Sequence, residues 1–253
     1  MVFSMDSTKS FTPTGFITRS IRHGRGQKLY QVYVRSGYTP DRGWPVILFL
    51  HGAGEGGDDA LLPTEYQLGS AIRRNPGHFP GLVVFPQIRR RSVWTTADIR
   101  FALKVLAHAR SDYSIDPDRI YLTGVSSGAR AAWTALSLSP KRFAAALIVC
   151  GYVRCPRRTG VPVPVALPLV AEGDDEFLNL LATRIRDVPV WIFHGDADPV
   201  FPVADARNIA ALLQEQGGVV RYTELAGFGH DVWDVAYYSE AVADWLFSQF
   251  RVH

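Results

Sequence analysis

IYLTGVSSGARAAWTAL, residues 120–136, changes character at its midpoint. Its first four residues are a short apolar run rich in β-branched and aromatic side chains, the pattern of a strand covered on both faces. From Gly128 onward small and apolar residues follow at helical spacing, and Ala129, Ala131 and Ala132 let such a helix lie close to a sheet. Between the two halves stands Gly124-Val125-Ser126-Ser127-Gly128, a G-x-S-x-G turn. So tight a passage from strand to helix strains the central residue. Side chains two positions to either side would strike neighbouring backbone, which explains the two glycines. Strand, turn and helix in this order make Ser126 a candidate nucleophile.

Working outward, short continuous apolar runs recur: VILFL at 46–50, LVVF at 82–85, AALIVC at 145–150 and VWIF at 190–193. Helical stretches are expected at 97–110, 128–137 and 203–216, with a last one near 239–249. Strands alternating with helices imply right-handed crossovers and an α/β fold with a mostly parallel, doubly wound sheet. The beginning differs. Leu29–Arg35 alternates as a half-buried strand and is expected to pair with Phe16–Arg19 through a turn containing Gly24 and Gly26, giving antiparallel N-terminal strands. A length of 253 residues suits one domain, 1–253. The segment at about 151–188 departs from the pattern, with Pro156, Pro162, Pro164 and Pro168 followed by the helical patch EFLNLLATRI. It reads equally as a partial lid over a site or as a plain surface loop.

Composition narrows the class. Hydrophobic residues at 47% and charged residues at 20% leave no case for disorder. The net charge of +3 is spread over the chain, and the short basic clusters at 89–91 and 154–158 are too small to argue for nucleic acid. No apolar run reaches membrane length, and the opening MVFSMDSTKSFTPTGF lacks the basic start and apolar run of a secretory leader, so a cytoplasmic protein without a membrane span is expected. Two cysteines, Cys150 and Cys155, are too few for a disulfide framework and lack partners for a metal site.

A serine hydroxyl attacks at neutral pH only with a base within hydrogen-bond reach and an acid to orient that base. On a sheet of this kind the chain order is serine, acid, histidine. Three histidines follow Ser126: His194, His230 and His253. His194 ends a strand and suits a turn-stabilising role. His230 lies in Gly227-Phe228-Gly229-His230-Asp231, between the strand VVRYTEL and the last helix, and is the expected base. The acid should follow VWIF, in His194-Gly195-Asp196-Ala197-Asp198-Pro199. Asp196 sits where a carboxylate commonly caps its own turn, whereas Asp198 lies farther out, within reach of the His230 loop, and is preferred. Oxyanion donors are expected from Ser127 N–H, at the start of a helix, and from the loop after VILFL, where Ala53 is first choice and Gly54 second. His51 in that loop reads as a shaper of the turn. No cofactor and no metal are required.

The same loop, Gly52-Ala53-Gly54-Glu55-Gly56-Gly57, also matches G-x-G-x-x-G after a strand. A dinucleotide site would want a helix opening on the glycines and an acidic residue at the end of the next strand. Here Asp58-Asp59 and Pro63 interrupt any helix, and LVVF ends in Pro86-Gln87.

VILFLHGAGEGG, VVFPQ, DPDRIYLTGVSSGARAAW, HGDADPVFPV and GFGHDVW together resemble the α/β-hydrolase esterases akin to phospholipase/carboxylesterase, polyhydroxybutyrate-depolymerase-like and feruloyl-esterase-like enzymes, including the predicted-peptidase group. The resemblance runs from about residue 29 to residue 250. It implies an α/β-hydrolase fold and a serine esterase acting on small-molecule esters. In that group the pattern H-G-x-x-D-x-x-x-P marks the acid, which falls on Asp198. Members usually carry Met and then Gly-Gly after the serine, where this chain has Ser127-Gly128-Ala129. Gln87, Trp94, Tyr152 and Trp233, at the ends of strands or next to the site loops, are candidates to line a substrate pocket, as is Gly54. Packing beneath a loop is the equally good reading for Trp94.

Overall fold

The computed structural model describes residues 12–89, 93–153 and 175–251. Strands β1 (Gly15–His23) and β2 (Gly26–Val34) form an antiparallel hairpin that sets Phe16 opposite Tyr33, with Gly24 turning the chain at φ +59°. Strands β3 (Trp44–Leu50), β4 (Leu82–Pro86), β5 (Ile115–Val125), β6 (Ala145–Val149), β7 (Val190–Gly195) and β8 (Val220–Leu225) complete an eight-stranded sheet in the order β1-β2-β4-β3-β5-β6-β7-β8. β2 meets β4 antiparallel, and every pairing from β4 through to β8 is parallel.

The apolar runs form central strands because both faces of the sheet are covered. All seven residues of β3 are buried, with Val46, Leu48 and Leu50 on one face and Ile47 and Phe49 on the other. The first face carries α3 (Thr96–Asp112), α4 (Ser127–Leu138), α5 (Asp175–Ile185) and α6 (Val203–Glu215). The second carries α2 (Gln67–Arg74), reached through the single turn α1 (Leu62–Glu65), together with α7 (Trp233–Tyr237) and α8 (Glu240–Phe247). Each fully buried Val, Leu, Ile or Phe contributes about 1.5–3 kcal/mol over an exposed one, so these two layers supply most of the drive to fold.

Several boundaries differ from the pattern reading: β1 and β5 run longer than their expected cores at 16–19 and 120–123, and two helical ones have a visible cause. α3 starts earlier because Thr95 and Asp98 form a capping box: the Thr95 hydroxyl accepts from Asp98 N–H while the Asp98 carboxylate accepts from Thr95 N–H. The last helical stretch, expected near 239–249, is α8, with Ser239 in extended conformation as its N-cap, and the short helix α7 before it was not expected. Of the segment 151–188, residues 154–174 lie outside the described residues, as do the basic cluster at 154–158 and Cys155. The patch EFLNLLATRI falls within α5, which buries Leu178, Leu181, Ala182 and Ile185. No helix among the described residues is long and apolar enough to cross a membrane.

Candidate active site

Parallel strands bring their carboxyl ends to one edge, and the loops that leave β3, β5, β7 and β8 meet there. Ser126 leaves β5 at φ +54° and ψ −118°, a conformation that disfavours any residue with a side chain. Its neighbours explain how it is held. A Cβ on Gly124 would meet the backbone of Gly128 and Ala129, and one on Gly128 would meet the carbonyls of Leu50 and His51. The bare glycines thus let α4 start against the end of β3. Ser127 opens α4, so its N–H has no acceptor within the helix and lies at the positive end of the helix dipole.

The β3 loop beside it is braced from below. His51 is fully buried, donates from Nδ1 to the Gly52 carbonyl at 2.6 Å and accepts the Ile88 N–H on Nε2 at 3.2 Å. Burial pushes its pKa down to about 4, so the ring is neutral and works as a strut, as the turn-shaping reading anticipates. Trp94 donates its indole N–H to the His51 carbonyl at 2.9 Å. Gln87 accepts the Ala60 N–H at 2.6 Å and donates to the Glu55 carbonyl at 3.0 Å. Above these struts Ala53 and Gly54 stand exposed in a short 3-10 turn, Ala53–Glu55. The next helix begins only at Leu62, so no helix opens on the glycines of Gly52–Gly57 as a dinucleotide site needs.

The candidate acid and base come from neighbouring loops. His230 Nδ1 lies 2.7 Å from Asp198 Oδ2 and His230 Nε2 lies 2.9 Å from Ser126 Oγ. The carboxylate accepts at Oδ2, so Nδ1 carries the imidazole hydrogen and Nε2 is free to take the serine proton. The Asp198 side chain is fully buried, while that of His230 is 19% exposed. Asp198 Oδ1 accepts two backbone N–H groups, from Val200 at 2.7 Å and Phe201 at 3.0 Å. Asp196 does something different, because its Oδ1 accepts the Gly227 N–H at 2.7 Å and so ties the acid loop to the base loop. Ala197 N–H to the Phe228 carbonyl, at 3.0 Å, is a second tie. A Cβ on Gly195 would strike the carbonyls of Phe228 and Gly229, so this glycine lets the base loop approach.

Around the triad geometry, the pocket candidates separate. Trp233 stays half-buried with its ring edge-on to His230 at 6.1 Å, on the wall of a cleft of about 350 Å³ that Glu55, Tyr66, Gln67 and Tyr238 also line. Tyr152 stacks on Phe201 at 4.1 Å, and Phe201 meets His230 edge-on at 5.3 Å, placing Tyr152 one ring away from the base. Trp94 and Gln87 are corrected. Both are nearly fully buried, at 2% and 3% exposure, and they support the β3 loop from beneath. Phe201 and the backbone of Val200 were not expected at the site; the proline-flanked DPVFP, which fixes a tight turn right after the acid, is the signal that could have found them. Cys150, just past β6 and beside the nucleophile turn, is a free and fully buried thiol that burial pushes up in pKa.

No family model matches the chain. An uncharacterized secreted protein of Arthroderma benhamiae is 28% identical over 204 residues, 74% of this chain but 21% of that protein. Acyl-protein thioesterase 1 of Kluyveromyces lactis is 24% identical over 192 residues, 64% of this chain and 75% of that protein. Among solved structures, a thermostable esterase superposes with a TM-score of 0.76 at 31% identity, over 93% of this chain and 63% of its own. The chain therefore spans less than two thirds of that esterase and about a fifth of the fungal protein. The fold is that of the α/β hydrolases.

Proposed function

We propose that this chain is a serine carboxylic ester hydrolase that works through an acyl-enzyme on short-chain or aryl esters of small molecules. The observation that carries the reading is the unbroken line from Ser126 Oγ through His230 to the buried Asp198 carboxylate, at 2.9 and 2.7 Å, with the serine on a strained strand-to-helix turn. Ser126 Oγ attacks the ester carbonyl carbon as its proton passes to His230 Nε2, and Asp198 stabilises the imidazolium that results. The carbonyl oxygen becomes an oxyanion, which Ser127 N–H and Ala53 N–H receive, with Gly54 as the neighbouring donor; each such donor is worth about 10²–10³ in rate. Collapse expels the alcohol, which takes the proton from His230. Water then attacks the acyl-serine by the same route, and Ser126 regains its hydrogen.

The likeness to a thermostable esterase at 31% identity supports the reaction class. The compact cleft, walled by Glu55, Gln67 and aromatic rings, suits small or aryl groups better than long alkyl chains. The likeness to a thioesterase gives the second reading, acyl transfer from sulfur, with the same three residues. Hydrolysis of a p-nitrophenyl ester series from acetate upward, beside matched thioesters, tests the proposal. Activity on the short oxygen esters that falls by about 10⁴ or more in Ser126→Ala is expected. Turnover of thioesters alone would give the second reading, and a folded protein inactive on both would leave amide cleavage by the same triad or a binding role.

A further inference from the structure

The strand that delivers the acid delivers another histidine four residues earlier, and the reaction above does not use it. His194 is completely buried. Its Nε2 faces two oxygens, the Phe201 carbonyl at 3.0 Å and Asp198 Oδ2 at 3.2 Å. Neither a carbonyl nor a carboxylate has a hydrogen to give, so Nε2 carries it and Phe201 accepts it. Phe201 is bound to the catalytic groups on its other sides. Its N–H donates to Asp198 Oδ1 at 3.0 Å, and its ring meets the His230 ring at 5.3 Å. Asp198 Oδ2 thus stands between two imidazoles, His230 Nδ1 at 2.7 Å and His194 Nε2 at 3.2 Å.

We propose that His194 is a positioning residue for the triad acid: its Nε2–H fixes the turn from Asp198 to Phe201, and through that turn the carboxylate oxygen that orients His230. Two backbone N–H groups of this turn hold Oδ1. Losing the His194 donor leaves the Phe201 carbonyl without its partner and frees the turn to shift. A displacement of about 1 Å in catalytic geometry lowers the rate on the order of 10²-fold. The role belongs to one nitrogen, because His194 Nδ1 has no hydrogen-bond partner among the described residues.

That asymmetry makes the test specific. A glutamine amide reaches the depth of Nε2, an asparagine amide only that of Nδ1, and leucine fills space without a donor. His194→Gln, His194→Asn and His194→Leu are compared for kcat and KM on an ester that the wild type hydrolyses. In parallel, the far-downfield proton resonance of the His230–Asp198 hydrogen bond is recorded by NMR. His194→Asn and His194→Leu should lower kcat about 10–100-fold, with KM within about twofold, and should move or broaden that resonance. His194→Gln should recover most of both. Wild-type kcat in folded His194→Leu, a loss confined to KM, or a glutamine variant no better than the asparagine one overturns the proposal. The kinetic arm rests on the serine-hydrolase reading, whereas the resonance does not: if the wild type hydrolyses no ester, an unchanged resonance in all three variants still overturns the positioning role. Should His194→Leu fail to fold, the glutamine and asparagine variants, which differ in reach alone, carry the comparison.

Discussion

Ser126 and Asp198 stand at the ends of strands separated only by β6, yet they are held by different means. The proposed nucleophile is held by close packing. Gly124 and Gly128 let strand, helix and the end of β3 come into backbone contact, and the strained φ of Ser126 is the result. The proposed acid and base, beyond the one close approach at Gly195, are held mainly by hydrogen bonds across two loops: Asp196 to Gly227, Ala197 to Phe228, and Val200, Phe201 and His230 to the Asp198 carboxylate. Packing of this kind has no partial state, because an added methyl group collides with main chain. A hydrogen-bonded loop loses its contacts one by one. Damage to the first half should therefore appear in stability, and damage to the second in turnover.

The sharpest challenge to this division is Asp198→Asn, expected to leave the fold intact and to lower kcat by about 10⁴, as an amide in place of the acid stabilises the wrong imidazole tautomer. Equilibrium unfolding measured beside kcat separates the two effects; a variant that loses stability in proportion to activity would erase the distinction. Gly128→Ala should do the reverse, lowering stability by about 3 kcal/mol or more through collision with the Leu50 and His51 carbonyls. Gly54→Ala is its control, since a Cβ there meets nothing within 4 Å. If denaturation finds the two glycine variants equally stable, the packing account of the elbow is wrong.

His51 extends the packed half to pH. Its folded pKa of about 4 lies below the ordinary histidine value near 6.5, so the unfolded chain takes up the proton first. The contribution of the neutral ring is complete above about pH 6.5 and fades as pH falls toward 4, to a total of about 3 kcal/mol at most. Urea unfolding at pH 7 and pH 4.5 should show a steeper loss in the wild type than in His51→Asn, and parallel curves would deny the ring this role. The smallest effect belongs to Asp196→Asn. The amide oxygen can still accept the Gly227 N–H, so kcat should change by less than about tenfold. If this substitution, and not Asp198→Asn, abolishes turnover, the acid has been misassigned.

What the sequence made legible follows the same line. The elbow was readable because everything that defines it lies within the contiguous run 120–136. The central strands β3 to β7 were readable because burial on both faces leaves an apolar run, and the N-terminal hairpin because half-burial leaves an alternation. The choice between Asp196 and Asp198 was harder, since the two differ in reach across space, and the pattern H-G-x-x-D-x-x-x-P was needed beside the positional argument. Trp94 and Gln87 stayed open between pocket and packing for a related reason: whether a side chain near a strand end enters the cleft or passes under a loop depends on a loop more than 30 residues away, and both found buried polar partners there. The approach of His194 to the acid had no local sign, because a spacing of four implies contact on a helix and not where a strand gives way to a turn.

Cys150 adds a practical consequence. The thiol lies beside the turn that presents Ser126, but it is sealed from solvent and kept protonated by burial. It cannot compete with the serine for an electrophile in the cleft. Iodoacetamide or mild peroxide should leave Cys150 of the folded protein unmodified by mass spectrometry, and alkylation there should begin only as denaturant opens the sheet. The same cysteine thereby serves as a built-in reporter of global unfolding, read at the centre of the molecule without an engineered residue.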